Sequence, residues 1–302
     1  MDNYFKTNTK KSNILTMNIN RKTTEIKGLS NNGNTCYINA SVQFLQPLFE
    51  KIVGPKSTEL SEFKKSPGYG PALDVIDVVE SSTRVGNSSS EFLINYLNKV
   101  KKDNLEGNTK IDYYVKGEQR CAVEFVRDIL DKMIVELESK SVIKRKINKL
   151  DYAQKLFEIT YIISENLKCY NKTTIEQMSG YDYLGCQCCN TKCRKALYGK
   201  SAIFETDYTF EYRALLSRQL TNVETLKKEN YVLKSGLIHL GTKDFHGDFG
   251  HWTAFRYDES RKCYYYCDDS RIVSLSKAEL KKLLENKERT LRLVHYVLEE
   301  KK

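Results

Sequence analysis

The 302-residue sequence has no apolar run long enough to cross a bilayer and no apolar segment near its start. Neither a membrane span nor a secretory signal is therefore expected. It has only four histidines, so any imidazole chemistry must come from His239, His246, His251 or His295. Cysteine is not scarce: there are nine. Nine cysteines without a secretory signal imply a reducing compartment, cytoplasmic or nuclear, and thiols without disulfides. The net charge of +10 and pI near 9 would suit a nucleic-acid binder. The lysines, however, are scattered through a chain rich in Asn, Ile and Tyr, and compositional bias accounts for them. Nucleic acid is not expected as a partner. The length suffices for one sizeable core, organised as a single unit with subdomains.

The rest of the chain is organised around one stretch, Gly28-Leu29-Ser30-Asn31-Asn32-Gly33-Asn34-Thr35-Cys36-Tyr37-Ile38-Asn39. A polar run with two glycines delivers a cysteine, and Ile38, Val42, Phe44 and Leu45 then start a helical spacing. Cys36 thus sits where a loop becomes a helix. Unpaired amides and the positive end of the helix dipole there favour an anion, so a thiolate. A half-buried structural cysteine beside a turn is the plain alternative.

Residues 1–27 form a polar, basic lead-in without periodicity. After the Cys36 helix, Gly54-Pro55 and Ser66-Pro67-Gly68-Tyr69-Gly70-Pro71 mark loops. Helices are expected over Ala72–Glu80, Glu91–Val100 and, most strongly, Gly117–Met133, where Val123, Phe125, Val126, Ile129, Leu130 and Met133 recur at helical spacing. The basic run Lys140–Lys149 reads as a solvated face.

A cysteine cluster follows: Cys186-Gln187-Cys188-Cys189-Asn190-Thr191-Lys192-Cys193, with Cys169 upstream. A Cys-x-x-Cys turn can supply two of the four soft ligands of a structural zinc ion. Cys169 has Lys172 rather than a cysteine three residues on. Either Cys169 with Cys193 or Cys188 completes an irregular site around Cys186 and Cys189, or the cluster is the remnant of one.

From Ile203 the pattern turns to aromatic, alternating strands at Thr206–Tyr212, Tyr231–Leu240, His251–Tyr257, Cys263–Cys267 and Leu291–Leu298, with a helix at Lys277–Glu285. This third reads as a mostly antiparallel sheet. Gly250-His251-Trp252-Thr253-Ala254 opens a strand after a loop, and Asp268-Asp269 ends the next one. Neighbouring antiparallel strands bring the start of one beside the end of the other, so His251 and Asp268 can meet. A cysteine nucleophile needs an imidazole to hold the thiolate and protonate the leaving amine, and the imidazole needs a carboxylate to orient it. Cys36, His251 and Asp268 supply those roles. His246 lies in the loop, and His239 and His295 lie in strands where core positions are the ordinary expectation.

Together the two boxes, Gly28-Leu29-x-Asn31-x-Gly33-x-Thr35-Cys36-Tyr37-x-Asn39 and Gly250-His251-Trp252-x-Ala254 followed by Asp268-Asp269, resemble those of the ubiquitin-specific proteases. Those are papain-like cysteine peptidases. Gln119-Arg120-Cys121-Ala122-Val123-Glu124-Phe125 resembles the family's Gln-Gln-Asp-Ala-x-Glu-Phe helix, and Ile238-His239-Leu240-Gly241 the strand leading into the His box. The resemblance implies an α+β, papain-like fold over residues 28–298. It would have a helical thumb to about 150, reduced fingers over about 155–230 and an antiparallel β palm over about 231–298.

The resemblance also implies that Asn31 donates its amide to the oxyanion of the tetrahedral intermediate, with the Cys36 main-chain amide as a second donor. Without that likeness, Asn31 reads as a turn residue. Asp269 is implied to stand behind Asp268 or partly replace it, and Gln119 and Glu124 to meet the substrate tail. Cys121 stands where the family has Asp and Arg120 where it often has Gln, changes that weaken binding of a basic tail. Tyr264 and Cys267 replace the usual Trp and Phe.

The expected activity is deubiquitination: hydrolysis of the bond after the C-terminal glycine of ubiquitin, with no cofactor for the chemistry and at most a structural zinc. Two rivals are a ubiquitin-binding pseudoenzyme and a protease for another ubiquitin-like modifier. A zinc-dependent nucleic-acid binder would leave both boxes unexplained.

Overall fold

The computed structural model describes residues 26–53, 71–87, 90–104, 114–141, 159–162, 175–177, 197–198, 201–206, 216–222, 225–241, 250–286 and 289–299. The cysteines expected to hold zinc, Cys169, Cys186, Cys188, Cys189 and Cys193, and the loop histidine His246 lie outside them.

The first half is helical: α1 (Cys36–Val53), α2 (Pro71–Val85), α3 (Ser90–Asn104) and α4 (Ala122–Ser141). Helix α1 starts where the sequence predicts. Its continuation through Pro47, which cannot donate to the Gln43 carbonyl, is supported from outside. Ser235 donates its hydroxyl to the adjacent Phe44 carbonyl at 2.8 Å. Helix α4 differs from expectation at both ends. Gly117 adopts a left-handed φ of +88°, which keeps residues 117–121 as a loop, and the helix then runs on past Met133 to Ser141.

The second half forms a ten-stranded sheet. Its strands are β1 (Ile159–Ile162), β2 (Ile175–Gln177), β3 (Leu197–Tyr198), β4 (Ser201–Glu205), β5 (Ser217–Asn222), β6 (Lys228–Leu240), β7 (His251–Asp258), β8 (Cys263–Asp268), β9 (Arg271–Leu275) and β10 (Arg289–Leu298). Helix α5 (Lys277–Leu284) lies between the last two. The order is β2-β1-β4-β10-β6-β7-β8-β9, with β5 pairing β6 and β3. Most pairings are antiparallel as expected; β1 with β4 and β3 with β5 are parallel. β4 covers Ser201–Glu205; of the strand expected at Thr206–Tyr212 only Thr206 is described, just past the end of β4, and 207–212 lie outside the described residues.

β6 is the spine. One of its edges pairs β5 in the first half and β7 in the second, while the other runs along β10. Strand alternation then sorts the core. Leu237, Trp252, Ala254 and Leu293 join α1, α2 and α4 in one apolar cluster, and Ile238, Phe255, Tyr264, Val294 and α5 residues Leu280 and Leu284 form another on the opposite face. The helix carrying Cys36 is thereby seated on the strands that carry His251 and the approach to Asp268. Of the family departures, Tyr264 is buried and donates to the Leu233 carbonyl at 3.0 Å, while burial pushes the Cys267 thiol up to about 12. Both act in packing.

Candidate active site

Thr35 closes the first turn of α1: its carbonyl accepts from the Ile38 and Asn39 amides, both at 3.0 Å, and its hydroxyl accepts from the Asn32 amide at 3.1 Å. Cys36 is therefore the first helical residue, 3% exposed, with its amide at the unpaired end of the helix. The tight approach is made by left-handed residues Gly33 at +88° and Asn34 at +51°.

His251 opens β7, and Asp268 closes β8. The register Ala254↔Cys267 runs antiparallel from there, bringing the two ends together, and His251 Nε2 lies 2.6 Å from Asp268 Oδ1. The other ring nitrogen, Nδ1, remains for Cys36. His251 is pushed up to about 10, chiefly by the Asp268 hydrogen bond, next by one with Cys36, against an opposing contribution from burial. A ring so placed stays protonated at neutral pH and can donate to Cys36.

Asp269, the next residue, has a carboxylate oxygen within 4.8 Å of a His251 ring nitrogen and of the Asp268 carboxylate, but its hydrogen bonds run to the cysteine loop and α1. A left-handed φ of +48° turns the chain, and its carboxylate accepts from Asn31 Nδ2 at 2.9 Å and from Asn39 Nδ2 at 2.8 Å. Its carbonyl accepts from the Leu29 amide at 2.9 Å. Gly28 makes this docking feasible, because a Cβ there would lie 2.2 Å from the Ser270 carbonyl oxygen. Asn31 also accepts through Oδ1 from the amide and the hydroxyl of Thr35, both at 3.2 Å. It is thus a turn-holding residue, as the local reading has it, and it also presents an amide beside the cysteine loop. Asp269 thus clamps Asn31 and Asn39 from a position directly behind the His251–Asp268 pair.

The loop before α4 closes the cleft from a third side. Asn34 Nδ2 donates to the Gly117 carbonyl at 2.8 Å, and Gln119 Nε2 donates to the carbonyl of Gly250, the residue before His251. Arg120 pairs with Glu118 at 2.6 Å. Cys121, in the place of the family's Asp, is buried and its thiol is pushed up by burial, so it offers no charge there. Glu124, partly exposed, is the carboxylate at the start of α4. The Asn31–Asp269 and Gln119–Gly250 pairs join residues 238 and 131 positions apart, beyond the reach of any local pattern. Among the described residues, the four cysteines Cys36, Cys121, Cys263 and Cys267 are free thiols. No helix among those residues is long and apolar enough to cross a membrane.

Comparison with known proteins bears on the fold and the family. A solved deubiquitinase module, SAGA Ubp8 with Sgf11, Sus1 and Sgf73 bound to monoubiquitin, is similar over 96% of this chain and 73% of that one, with a TM-score of 0.54 at 13% identity. The same module bound to ubiquitin aldehyde is similar over 92% and 70%, again at 0.54, with 14% identity. At those identities the likeness speaks for the fold. No curated protein matches the sequence. The family model described as ubiquitin carboxyl-terminal hydrolase matches residues 27–293, and the chain belongs to that family.

Proposed function

We propose that the protein is a cysteine deubiquitinase that hydrolyses the peptide or isopeptide bond after the C-terminal glycine of ubiquitin. The observation that carries this reading is the contact of Cys36, at the start of α1, with a His251 ring whose Nε2 is held 2.6 Å from Asp268. The Cys36 thiolate attacks the glycine carbonyl carbon, and the carbonyl π electrons move to oxygen. One hydrogen of the Asn31 amide is engaged by Asp269, which leaves the second for the oxyanion beside the Cys36 main-chain amide. His251 passes its proton to the leaving amine as the C–N bond breaks, leaving a thioester. The now neutral ring takes a proton from water, whose hydroxyl adds to the thioester and releases the carboxylate and Cys36.

A second reading concerns the modifier. Cys121 is buried where the family has a carboxylate, and Arg120 stands beside Glu118, so the electrostatic grip on a basic tail rests on Glu124. That departure favours a different ubiquitin-like protein. Gln119 and Glu124 are the tail-facing residues in either case.

The test is reaction of the purified chain with ubiquitin bearing a C-terminal electrophile, beside Cys36→Ala and beside the same group on other modifiers. A Cys36-dependent adduct with ubiquitin is expected. An adduct with another modifier alone keeps the chemistry and changes the substrate; no adduct with any, from folded protein, makes the chain a binding pseudoenzyme.

A further inference from the structure

The loop Gly117–Arg120 is tied at both ends to opposite halves of the site. Asn34, two residues before Cys36, holds the Gly117 carbonyl at 2.8 Å, and the Gln119 carboxamide holds the carbonyl of Gly250, next to His251. The Gly250 peptide is fixed from below. Its φ is +113°, and even a Cβ there would lie 2.5 Å from the Leu240 carbonyl oxygen and 2.7 Å from His239 Nε2. The Gly250 backbone is thus packed closely against β6 on that side. Among the described residues, nothing lies within 4 Å of where a Cβ would sit on Gly33 or Gly117. Gln119 is partly exposed, on a flexible side chain.

A peptide whose terminal carbonyl carbon reaches Cys36 must lie alongside the residue preceding His251, and its last N–H then needs an acceptor, since a buried unpaired amide is costly. In the free protein that acceptor is already occupied. We infer that Gln119 is a gate on the tail channel: its carboxamide caps the Gly250 carbonyl and is displaced by the backbone of the entering tail. The inference rests on the deubiquitinase reading and assigns Gln119 control of entry, beyond contact with a bound tail.

Breaking a neutral hydrogen bond that the substrate must otherwise break raises its rate of capture by about two- to tenfold. The experiment compares wild type, Gln119→Ala and Gln119→Glu by two readouts. One is the second-order rate constant with a ubiquitin C-terminal electrophile; the other is alkylation of Cys36 by iodoacetamide across pH. Gln119→Glu keeps the size but sets an acceptor against an acceptor, so it also opens the gate. Both variants are expected to react two- to tenfold faster with the tail electrophile, while the iodoacetamide profile stays in place. A tail rate that is level or lower in Gln119→Ala overturns the gate. So does a rise shared by iodoacetamide, because Gln119 would then be acting on the thiol. If the wild type forms no adduct while its thiol alkylates, the deubiquitinase reading fails and the gate with it; if the wild type reacts and neither variant is faster, the gate alone fails.

Discussion

Replacing Asp269 by alanine tests whether the second carboxylate works through Asn31. In the wild type its two oxygens accept one amide each, from Asn31 at 2.9 Å and Asn39 at 2.8 Å. Hydrogen bonds to a charged acceptor contribute about 1.5–3 kcal/mol, and the exposed Asn31 bond belongs at the lower end. The main-chain bond from the Leu29 amide to the residue 269 carbonyl survives the substitution, so the turn stays docked while Asn31 is released. Removing an oxyanion donor outright costs about a hundred- to a thousandfold in kcat; loosening one costs less, so about ten- to a hundredfold is expected, or about 1.4–2.7 kcal/mol. KM should move little, since the interaction forms only as charge develops on oxygen. Asp269→Gly is the control, because it removes the carboxylate while tolerating the φ of +48°, which alanine does not favour. The assay is steady-state hydrolysis of a ubiquitin C-terminal fluorogenic amide across pH. Asn31→Ala with Asp269→Ala should lose no more than Asn31→Ala alone, since both changes strike one interaction. Unchanged kcat in Asp269→Ala would refute the reasoning. So would a loss accompanied by an earlier alkaline fall, which would place Asp269 on the imidazole.

Three further outcomes are expected. Cys36→Ala should abolish turnover while thermal denaturation shows a melting temperature within a few degrees of wild type, because only one buried sulfur is lost. Asp268→Asn should cost far less than His251→Ala, since asparagine can still orient the ring. It should also move the alkaline fall in activity from about 10 downward, Asp268 being the largest cause of the raised His251 value. The stability linkage has the same sign: a ring raised from 6.5 to about 10 stabilises the fold fully below 6.5 and loses that contribution as pH rises through about 10. The melting difference between wild type and Asp268→Asn should therefore shrink from pH 6 to pH 10.5. Gly250→Ala should destabilise by about 1–3 kcal/mol and lower kcat, measured by denaturant melts and turnover together, because the added Cβ meets the Leu240 carbonyl oxygen and His239.

Local chemistry made part of this molecule legible in advance. The Cys36 helix start, the β7 and β8 strands and the meeting of their ends follow from apolar spacing, aromatic alternation and antiparallel register, all read within a few residues. The start of α4 did not, because apolar spacing alone extended the helix back over Gly117, whose left-handed backbone instead makes residues 117–121 a loop. β5, Ser-Arg-Gln-Leu-Thr-Asn, is polar and acquires its strand state by pairing with β6. β9 is hidden for a different reason: Asp269 and Ser270 form a two-residue turn directly after β8, and an Asp-Ser pair carries no distinctive hairpin signal of the Asn-Gly kind. The partners of Asn31 and Gln119 are set by the sheet and by how α1 and the 117–121 loop sit against it, so no window of sequence contains them.

The hairpin explains why adjacent aspartates do different work. Asp268 is the last residue of β8, paired with Arg271, so strand geometry directs its side chain toward the start of β7 and His251. Asp269 leaves the strand at a φ of +48°, and that change of backbone region swings its carboxylate onto Asn31 before α1 and Asn39 in its first turn. One carboxylate therefore holds the imidazole, and its neighbour holds the Asn31 amide proposed as the oxyanion donor. A tight turn at the end of one strand sets the spacing between His251 and Asn31, and the segment leading into α1, docked on that turn through Leu29, Asn31 and Asn39, brings Cys36 to the same point. Moving the turn by one residue would separate all three, which is why an insertion between Asp268 and Ser270 should be more damaging than substitution of either aspartate.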